Sequence, residues 1–389
     1  MNLPVPAIVL GGYIMGLTAI RALAKRNVPV ILLYHSPEDY AALSKYLTRS
    51  IKIPHPEKEE IEFLQILFEL GSELKDAVII PCDDDCLTTI AKNKEGLEKY
   101  FKVACNNYDV ISKLIDKKYI YSITQSGNIP TPKSITTDNS EEAVRFANDI
   151  GFPCLVKPSK SHLYVKVFDK KMTKVFDINA LQSEFNNAVS AGLDVLIQEY
   201  IPGKDNTNYS YWGYRVDGSF YCEATAQKIR NDPPETGSPR LQVTKNIPEL
   251  IPLSRKILDA INYEGYANIE FKKDHRTNEF KFLEINPRIN RCMLQAIKGG
   301  IDYPWIIYDH LTSGNLPGET KCKEGIYWID FAKDIVRSLQ YRKIEKYSLS
   351  EYIRPYLKPH VFAVLSLSDP KPFLKRSSGI MKKFLKRKS

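Results

Sequence analysis

Carboxylate and amide side chains recur among apolar residues in the stretch 267–290. Glu270 lies in an apolar run ahead of a polar turn at residues 274–278, and Glu284 and Asn286 lie in the run that follows it. Both runs are rich in β-branched and aromatic residues, which predicts two short strands joined as a hairpin. Carboxylate and amide oxygens are ligands that Mg²⁺ accepts in proteins, usually together with substrate phosphates. The pattern therefore predicts a magnesium site on this hairpin.

The register of the hairpin decides which side chains share a face. If Lys273 lies opposite Glu279, the numbers of paired residues have an even sum, and Glu270, Glu284 and Asn286 fall on one face. Glu270 then lies diagonal to Glu284, at roughly 7–8 Å between backbones. Two carboxylates at that spacing can converge on a cation between them.

A fixed positive charge follows the second strand. Arg288 lies two residues beyond Asn286, where its guanidinium suits an anionic oxygen. Acidic residues on a hairpin are more often part of a solvated face. Here the acids are embedded between apolar neighbours, which favours the metal site.

Composition describes a globular protein whose basic charge is concentrated at one end. The chain has 389 residues and a formal net charge of +9, but residues 371–389 contain eight Lys or Arg and no acid, so the rest totals +1 (9 − 8). This distribution argues against a basic nucleic-acid-binding face on the body of the protein. The seven scattered cysteines show no zinc spacing and favour reduced thiols in the cytoplasm. The sequence predicts neither a secretory signal nor a membrane-spanning segment.

The N-terminal third alternates short apolar strands with helices. A strand at residues 7–10, glycines at 11 and 12, a helix to about residue 27 and a strand at 30–33 predict a parallel α/β unit. The glycines do not have the G-x-G-x-x-G spacing, so they indicate a tight turn that could line a ligand cleft.

Asp83 and Asp84 come directly after the predicted strand 77–81. Open α/β sheets bind ligands at the carboxyl ends of their strands, where these acids could hold the ammonium group of an amine substrate. Acids also complement the dipole at a helix N-terminus. The sequence leaves both interpretations open.

Glu270 followed by Glu284-x-Asn286-x-Arg288 resembles the metal-binding signature of the ATP-grasp superfamily. The resemblance covers roughly residues 105–315. Within the superfamily, the sequence is similar to the carboxylate–amine ligases related to D-aspartate ligase. It implies an α/β protein with a Rossmann-like domain ahead of a two-lobed ATP-grasp fold. The domains expected from it are 1–105, 106–197 for the first lobe, 198–315 for the second lobe, and 316–389 for a C-terminal extension.

The resemblance also implies an ATP site. Lys117 and Lys157 would contact phosphates, Glu199 and Ile201 the adenine edge, and Asp205 the ribose. The complete set of nucleotide-binding candidates is Lys117, Lys157, Gln198, Glu199, Tyr200, Ile201, Asp205 and Leu283. Leu283 would form the apolar floor under adenine, and Lys157 and Arg288 are the catalytic candidates. Residues 159–164 depart from the family pattern, because the phosphate-covering loop contains no glycine there.

Residues 227–240 contain prolines, a glycine and many polar residues, which predicts a loop. Lys228, Arg230 and Arg240 would suit an anionic substrate or the transferring phosphate. A solvated loop is the equally weighted alternative. At the C-terminus, residues 373–389 have the spacing of a basic amphipathic helix, which predicts contact with an anionic membrane surface or a soluble tail.

The function expected is that of an ATP-dependent carboxylate–amine ligase. ATP would phosphorylate a carboxylate, and an amine would attack the acyl-phosphate to give an amide, ADP and phosphate. Mg²⁺, or Mn²⁺ in its place, would be held by Glu270, Glu284 and Asn286. The expected location is the cytoplasm or the inner membrane face, with a role in cell-envelope or surface-polymer synthesis. An ATP-grasp phosphotransferase and a non-catalytic, membrane-associated ATP-binding protein are the alternatives.

Overall fold

A computed structural model describes residues 4–158 and 172–386 of the chain. The glycine-free segment 159–164 and the end of the basic tail lie outside the described residues. Within them the strands form three separate sheets, of five, four and seven strands.

The first sheet is parallel and N-terminal, with the order β3-β2-β1-β4-β5. Its strands are β1 (Ala7–Leu10), β2 (Val30–Tyr34), β3 (Arg49–Lys52), β4 (Val78–Pro81) and β5 (Lys102–Val103). The helices of this region are α1 (Ile14–Ala24), α2 (Glu60–Glu73), α3 (Asp84–Lys92), α4 (Lys94–Leu97) and α5 (Tyr108–Ile115). Strands β1 and β4 are buried along their whole length, as expected for a parallel sheet covered on both faces. The predicted parallel α/β unit is therefore confirmed.

The second sheet is antiparallel, with the order β6-β9-β7-β8. Its strands are β6 (Ser134–Thr137), β7 (Cys154–Pro158), β8 (Thr173–Val175) and β9 (Val195–Glu199), and its helices are α6 (Lys117–Ser126), α7 (Ser140–Ile150) and α8 (Ile178–Ser190). Asn139 and Asp177 cap α7 and α8 by accepting hydrogen bonds from backbone amides of the first turn. Helices α7 and α8 share one apolar core with this sheet.

The third sheet has the order β14-β13-β10-β11-β12-β15-β16. Its strands are β10 (Asn208–Val216), β11 (Ser219–Asp232), β12 (Ser238–Thr244), β13 (Gly265–Asp274), β14 (Glu279–Asn286), β15 (Tyr327–Ile329) and β16 (His360–Phe362). The helices after β12 are α9 (Leu250–Ala260), α10 (Met293–Lys298), α11 (Tyr303–Ser313), α12 (Phe331–Glu345), α13 (Leu349–Ile353) and α14 (Lys371–Lys386). Short 3₁₀ helices occur at Tyr40–Leu43, Asp205–Thr207 and Arg354–Leu357.

The prediction of a loop over residues 227–240 is wrong. Strand β11 runs to Asp232 and β12 begins at Ser238, so only the tip between them is a turn. The polar residues misled the prediction because their partners lie far away in the sequence. Buried carboxylates neutralise the charged side chains that the two strands carry inward.

The hairpin of β13 and β14 also differs from its predicted register. Lys273 lies opposite Phe280, and a β-bulge at Leu283 shifts the pairing again, so that Glu270 lies directly opposite Glu284. The predicted diagonal arrangement is therefore wrong. A bulge inserts one extra residue into a strand and re-aims the side chains beyond it. Directly opposed residues have Cβ atoms about 4.5–5.5 Å apart, which brings the two acids closer than expected.

The chain after residue 315 is tied into the third sheet. Strand β15 pairs with β12, and β16 pairs in parallel with β15. Helix α14 then packs against the 3₁₀ helix Tyr40–Leu43 of the N-terminal region. In the described part of the chain, no helix combines the length and the apolar character needed to cross a bilayer.

Candidate nucleotide and metal site

The hairpin of β13 and β14 presents oxygen ligands on one face. Glu270 and Glu284 are cross-strand partners, and Asn286 lies two residues further along β14. The Asn286 amide nitrogen donates to Glu284 Oε1 at 3.3 Å. The neighbouring Phe271 and Phe282 are fully buried and anchor the hairpin in an apolar core. The predicted ligand set is thus brought together, with a donor chemistry that suits a hard divalent cation.

Lys228 lies at the same place. Its ammonium group forms an ion pair with Glu270 Oε2, and the residue is 5% exposed. Burial disfavours the charged amine, but Glu270 and the nearby Glu284 outweigh it and raise the pKa of Lys228. Lys228 was predicted to contact the substrate, and it lies beside the hairpin face that carries the predicted metal ligands.

Arg230 and Arg240 are not at the site. They are 1% and 0% exposed, and both pair with Asp334 of α12, Arg230 at 2.8 Å. Arg240 also pairs with Glu345 at the end of the same helix. These contacts attach α12 to β11 and β12, so the predicted contact of the two arginines with an anionic ligand is not supported by the structure.

Lysine side chains converge opposite the acids. Lys157 at the end of β7 donates to Gln198 Oε1 of β9 at 2.6 Å. Burial, the positive charge of Lys117 and that of Lys272 lower the pKa of Lys157 to about 7, although Glu284 opposes this shift. Keeping several buried ammonium groups charged beside one another costs free energy, and a bound anion would offset that cost.

Lys272 was missed by sequence reasoning. It is 5% exposed, and burial lowers its pKa to about 8 in spite of Glu235 and Asp205 nearby. Lys272 lies two residues from Glu270 on β13, so the alternation that grouped the acids also assigns this lysine to their face. The two-residue spacing between Glu270 and Lys272 could therefore have identified Lys272 from the sequence.

The end of β9 and the residues that follow it were predicted to contact the nucleotide. Gln198 and Ile201 are buried, while the Glu199 carboxylate accepts hydrogen bonds from the Lys133 amide at 3.1 Å and from the Arg276 guanidinium. The Tyr200 hydroxyl donates to Glu235 at 2.6 Å. The roles of these residues toward adenine stay predictions.

Asp205 accepts backbone hydrogen bonds from Asn231 at 2.7 Å and Glu235 at 2.6 Å. Both carboxylate oxygens therefore hold the turn between β11 and β12, and contact with ribose stays a prediction. Leu283, the bulged residue, is half-buried, and its carbonyl accepts from the Tyr121 hydroxyl at 2.9 Å.

The two N-terminal aspartates have different roles. Asp83 is the N-cap of α3 and accepts from the Cys86 amide at 2.7 Å. Gly11, at φ +93°, makes room for it, since a Cβ there would lie 2.2 Å from Asp83 Oδ2. The helix-terminus interpretation therefore holds for Asp83. Asp84 instead forms two hydrogen bonds with Arg288, at 2.6 and 3.0 Å.

The Asp84–Arg288 pair joins the N-terminal sheet to the hairpin. Although burial disfavours the charged guanidinium, Asp84 and Glu284 raise the pKa of Arg288, which stays a fixed cation. Arg288 Nη2 also lies 3.4 Å from Asn286 Oδ1. The predicted catalytic cation is thus held next to the predicted metal ligands.

A scan against family models matches residues 222–330, which include the hairpin, to the family described as "ATP-grasp in the biosynthetic pathway with Ter operon". The D-aspartate ligase of Enterococcus faecium is 25% identical over 272 residues, covering 64% of this chain and 63% of that protein. The C-terminal section of the carbamoyl phosphate synthase large chain of Methanopyrus kandleri is 28% identical, covering 50% of this chain and 36% of that protein. The chain thus spans less than two thirds of these relatives.

Solved structures show the same fold. The complex of biotin carboxylase with β,γ-ATP from Campylobacter jejuni aligns with a TM-score of 0.66 and 18% identity, covering 84% of this chain and 75% of that one. The L-amino acid ligase of Bacillus licheniformis aligns with a TM-score of 0.61 and 14% identity, covering 80% and 75%. The expected α/β fold, with an N-terminal parallel sheet ahead of a two-lobed region, is therefore confirmed.

Proposed function

We propose that this chain, which belongs to the ATP-grasp superfamily, is an ATP-dependent carboxylate–amine ligase. The proteins that it resembles include a D-aspartate ligase and an L-amino acid ligase. The proposed reaction transfers a phosphoryl group from ATP to a carboxylate. An amine then displaces the phosphate from the acyl-phosphate, giving an amide, ADP and inorganic phosphate.

The observation that carries the proposal is the arrangement of charge between the second and third sheets. Burial, together with repulsion by the positive charges of Lys117 and Lys272, lowers the pKa of Lys157 to about 7, although Glu284 opposes the shift. A polyphosphate would relieve this repulsion, and a divalent cation would neutralise the acids that face it. The donor set of the site thus fits ATP together with Mg²⁺ or Mn²⁺.

The described side chains have separate tasks in this scheme. Lys117, Lys157 and Lys272 would hold the phosphates, and Glu270, Glu284 and Asn286 would hold Mg²⁺, which neutralises phosphate charge when it is bound. Arg288, oriented by the two hydrogen bonds that it donates to Asp84, would stabilise the charge that develops on the transferring group. Phosphoryl transfer depends on positioning and electrostatics, so no covalent nucleophile of the protein is needed.

ADP release tests the proposal. The chain is incubated with Mg²⁺ and ATP and a panel of acids and amines, each alone and in pairs, D-aspartate among them. Glu284→Gln removes a ligand charge from the site, and Glu279→Gln is the matched control, because Glu279 is an exposed acid on the same hairpin and pairs with Lys281. We expect release that requires both an acid and an amine and falls at least about 100-fold in Glu284→Gln alone.

Two outcomes would contradict the ligase. Release that needs no amine and yields a stable phosphorylated product would identify a phosphotransferase. ATP binding without turnover on any pair, envelope precursors included, would favour a non-catalytic protein. The panel of acids and amines would identify the two substrates. We further propose a role in cell-envelope or surface-polymer synthesis and a location in the cytoplasm or at the inner membrane face. The seven cysteines are unpaired, which is consistent with that location.

A further inference from the structure

Helix α14 closes a pocket against the N-terminal region. The pocket has a volume of about 300 Å³, a size within the lower range of small-ligand sites. Tyr13 and Tyr40 form one wall, with ring centroids 5.2 Å apart, and Lys375, Arg376 and Lys382 of α14 line the other. The basic tail therefore builds a cavity with the body of the protein instead of extending from it.

Two residues that line this pocket carry buried donors with no partner among the residues that the structure describes. The Tyr40 hydroxyl and Arg376 Nε make no hydrogen bond, although the residues are 2% and 8% exposed. The two terminal nitrogens of Arg376 both bind Asp330, which orients the guanidinium and leaves Nε available. An unpaired buried donor is costly, and an acceptor atom of a bound molecule would satisfy it.

The charge around the pocket is positive. Lys375 and Lys382 are exposed at its opening, and Lys383 pairs there with Glu38, the acid that lines the same pocket. Burial opposes ionisation of Tyr13, but Arg291 and Arg376 outweigh it and lower the pKa of Tyr13. The unpaired donors and the positive electrostatic potential of the pocket therefore both favour the binding of an anion.

We propose that the pocket between α14 and the N-terminal region binds a phosphate group, carried by a small soluble ligand or by a lipid headgroup. A phosphate offers several acceptor oxygens, which can be shared among a hydroxyl, a guanidinium nitrogen and ammonium groups. The site is distinct from the lysines and acids assigned to ATP. The inference goes beyond the ligase proposal and does not depend on it.

The test is a calorimetric titration with glycerol 3-phosphate. Mg²⁺ and a non-hydrolysable ATP analogue are present throughout, so that the nucleotide site is filled. We expect Tyr40→Phe to weaken binding about tenfold, because it removes one hydrogen bond to a charged group and leaves the ring. Lys382→Gln should also weaken binding, whereas Lys358→Gln, an exposed lysine before β16, should leave it unchanged.

Folding provides an internal control for the same variant. Since the Tyr40 hydroxyl has no partner, Tyr40→Phe should keep or raise the midpoint of thermal unfolding of the free protein. Equal binding of glycerol 3-phosphate by Tyr40→Phe and the wild-type chain would overturn the proposal, as would the absence of both glycerol 3-phosphate binding and Tyr40-dependent vesicle binding.

A phospholipid headgroup has the same chemistry and is distinguished in a second arm. Cosedimentation is measured with vesicles of equimolar phosphatidylcholine and phosphatidylglycerol. Vesicle binding that falls in Tyr40→Phe supports the pocket and identifies a lipid as the source of the phosphate. Vesicle binding that depends on Lys375 and Lys382 but not on Tyr40, with no binding of glycerol 3-phosphate, overturns the pocket in favour of charge attraction to the surface.

Discussion

Two clusters of opposite charges differ in burial and in the repulsion between like charges: the closed cluster joins α12 to the third sheet, and the open cluster lies between the second and third sheets. In the closed cluster, Asp334 accepts from Arg230, Arg240 and the Tyr356 hydroxyl, and its side chain is fully buried. In the open cluster, Lys157 is crowded by other lysines and Glu284 is exposed on the facing hairpin. A fully paired, buried cluster stabilises the fold, whereas a cluster in which like charges repel each other would be stabilised further by an anionic ligand.

The closed cluster should matter for stability alone. Asp334→Asn keeps the shape of the side chain but leaves two buried arginines without their common counter-charge, which should lower the free energy of unfolding by about 3–5 kcal/mol. Urea denaturation measures this change, with Asp149→Asn on the exposed face of α7 as the control. The affinity of the folded variant for ATP should not change. A change in unfolding below about 1 kcal/mol would remove the distinction between the clusters.

The Asp84–Arg288 pair lies at the border of the open cluster and should affect rate more than binding. Asp84→Asn removes a charged partner that orients Arg288, so we expect the ADP release rate to fall about tenfold. The dissociation constant for ATP should stay within about twofold of the wild-type value. Asp85→Asn, the next residue of α3, is the matched control, because Asp85 lies near His55 at 3.4 Å and not near Arg288. Equal rates in both variants would contradict the role assigned to Arg288.

The smallest expected effect is the pH dependence of ATP binding. Lys157 has a pKa of about 7 in the free protein, and bound phosphate would raise it by favouring the ammonium form. ATP binding then takes up a proton above pH 7, so affinity should fall as pH rises, by less than about tenfold per pH unit. Lys157→Met should flatten the profile between pH 7 and 9. If the affinity of the wild-type chain for ATP rises between pH 7 and 9, the predicted direction of the pH dependence is wrong.

Sequence reasoning identified the features that depend on local pattern. The parallel N-terminal unit, the hairpin and its oxygen-bearing face follow from alternation and turn residues. The opposition of Glu270 and Glu284 depends on a single bulged residue, Leu283, which no periodicity marks. A one-residue shift exchanges the faces of a strand, so register is the least certain property of such a prediction.

Other features depended on distant partners. Arg230 and Arg240 appeared to belong to a polar loop because Asp334 is about a hundred positions away in the chain. The tail at residues 373–386 matched an amphipathic surface helix, but Arg376 binds Asp330 and packs α14 onto the protein. Spacing shows which residues share a face, and only the folded structure shows which charges are compensated.

We infer that the open cluster binds ATP together with a divalent cation. Calorimetric titration with a non-hydrolysable ATP analogue, with and without Mg²⁺, tests it most directly in the wild-type chain and in Glu284→Gln. We predict that Mg²⁺ tightens binding at least about tenfold in the wild-type chain and has little effect in Glu284→Gln. Equal effects of Mg²⁺ on both chains, or no binding of the analogue by the wild-type chain, would contradict the account.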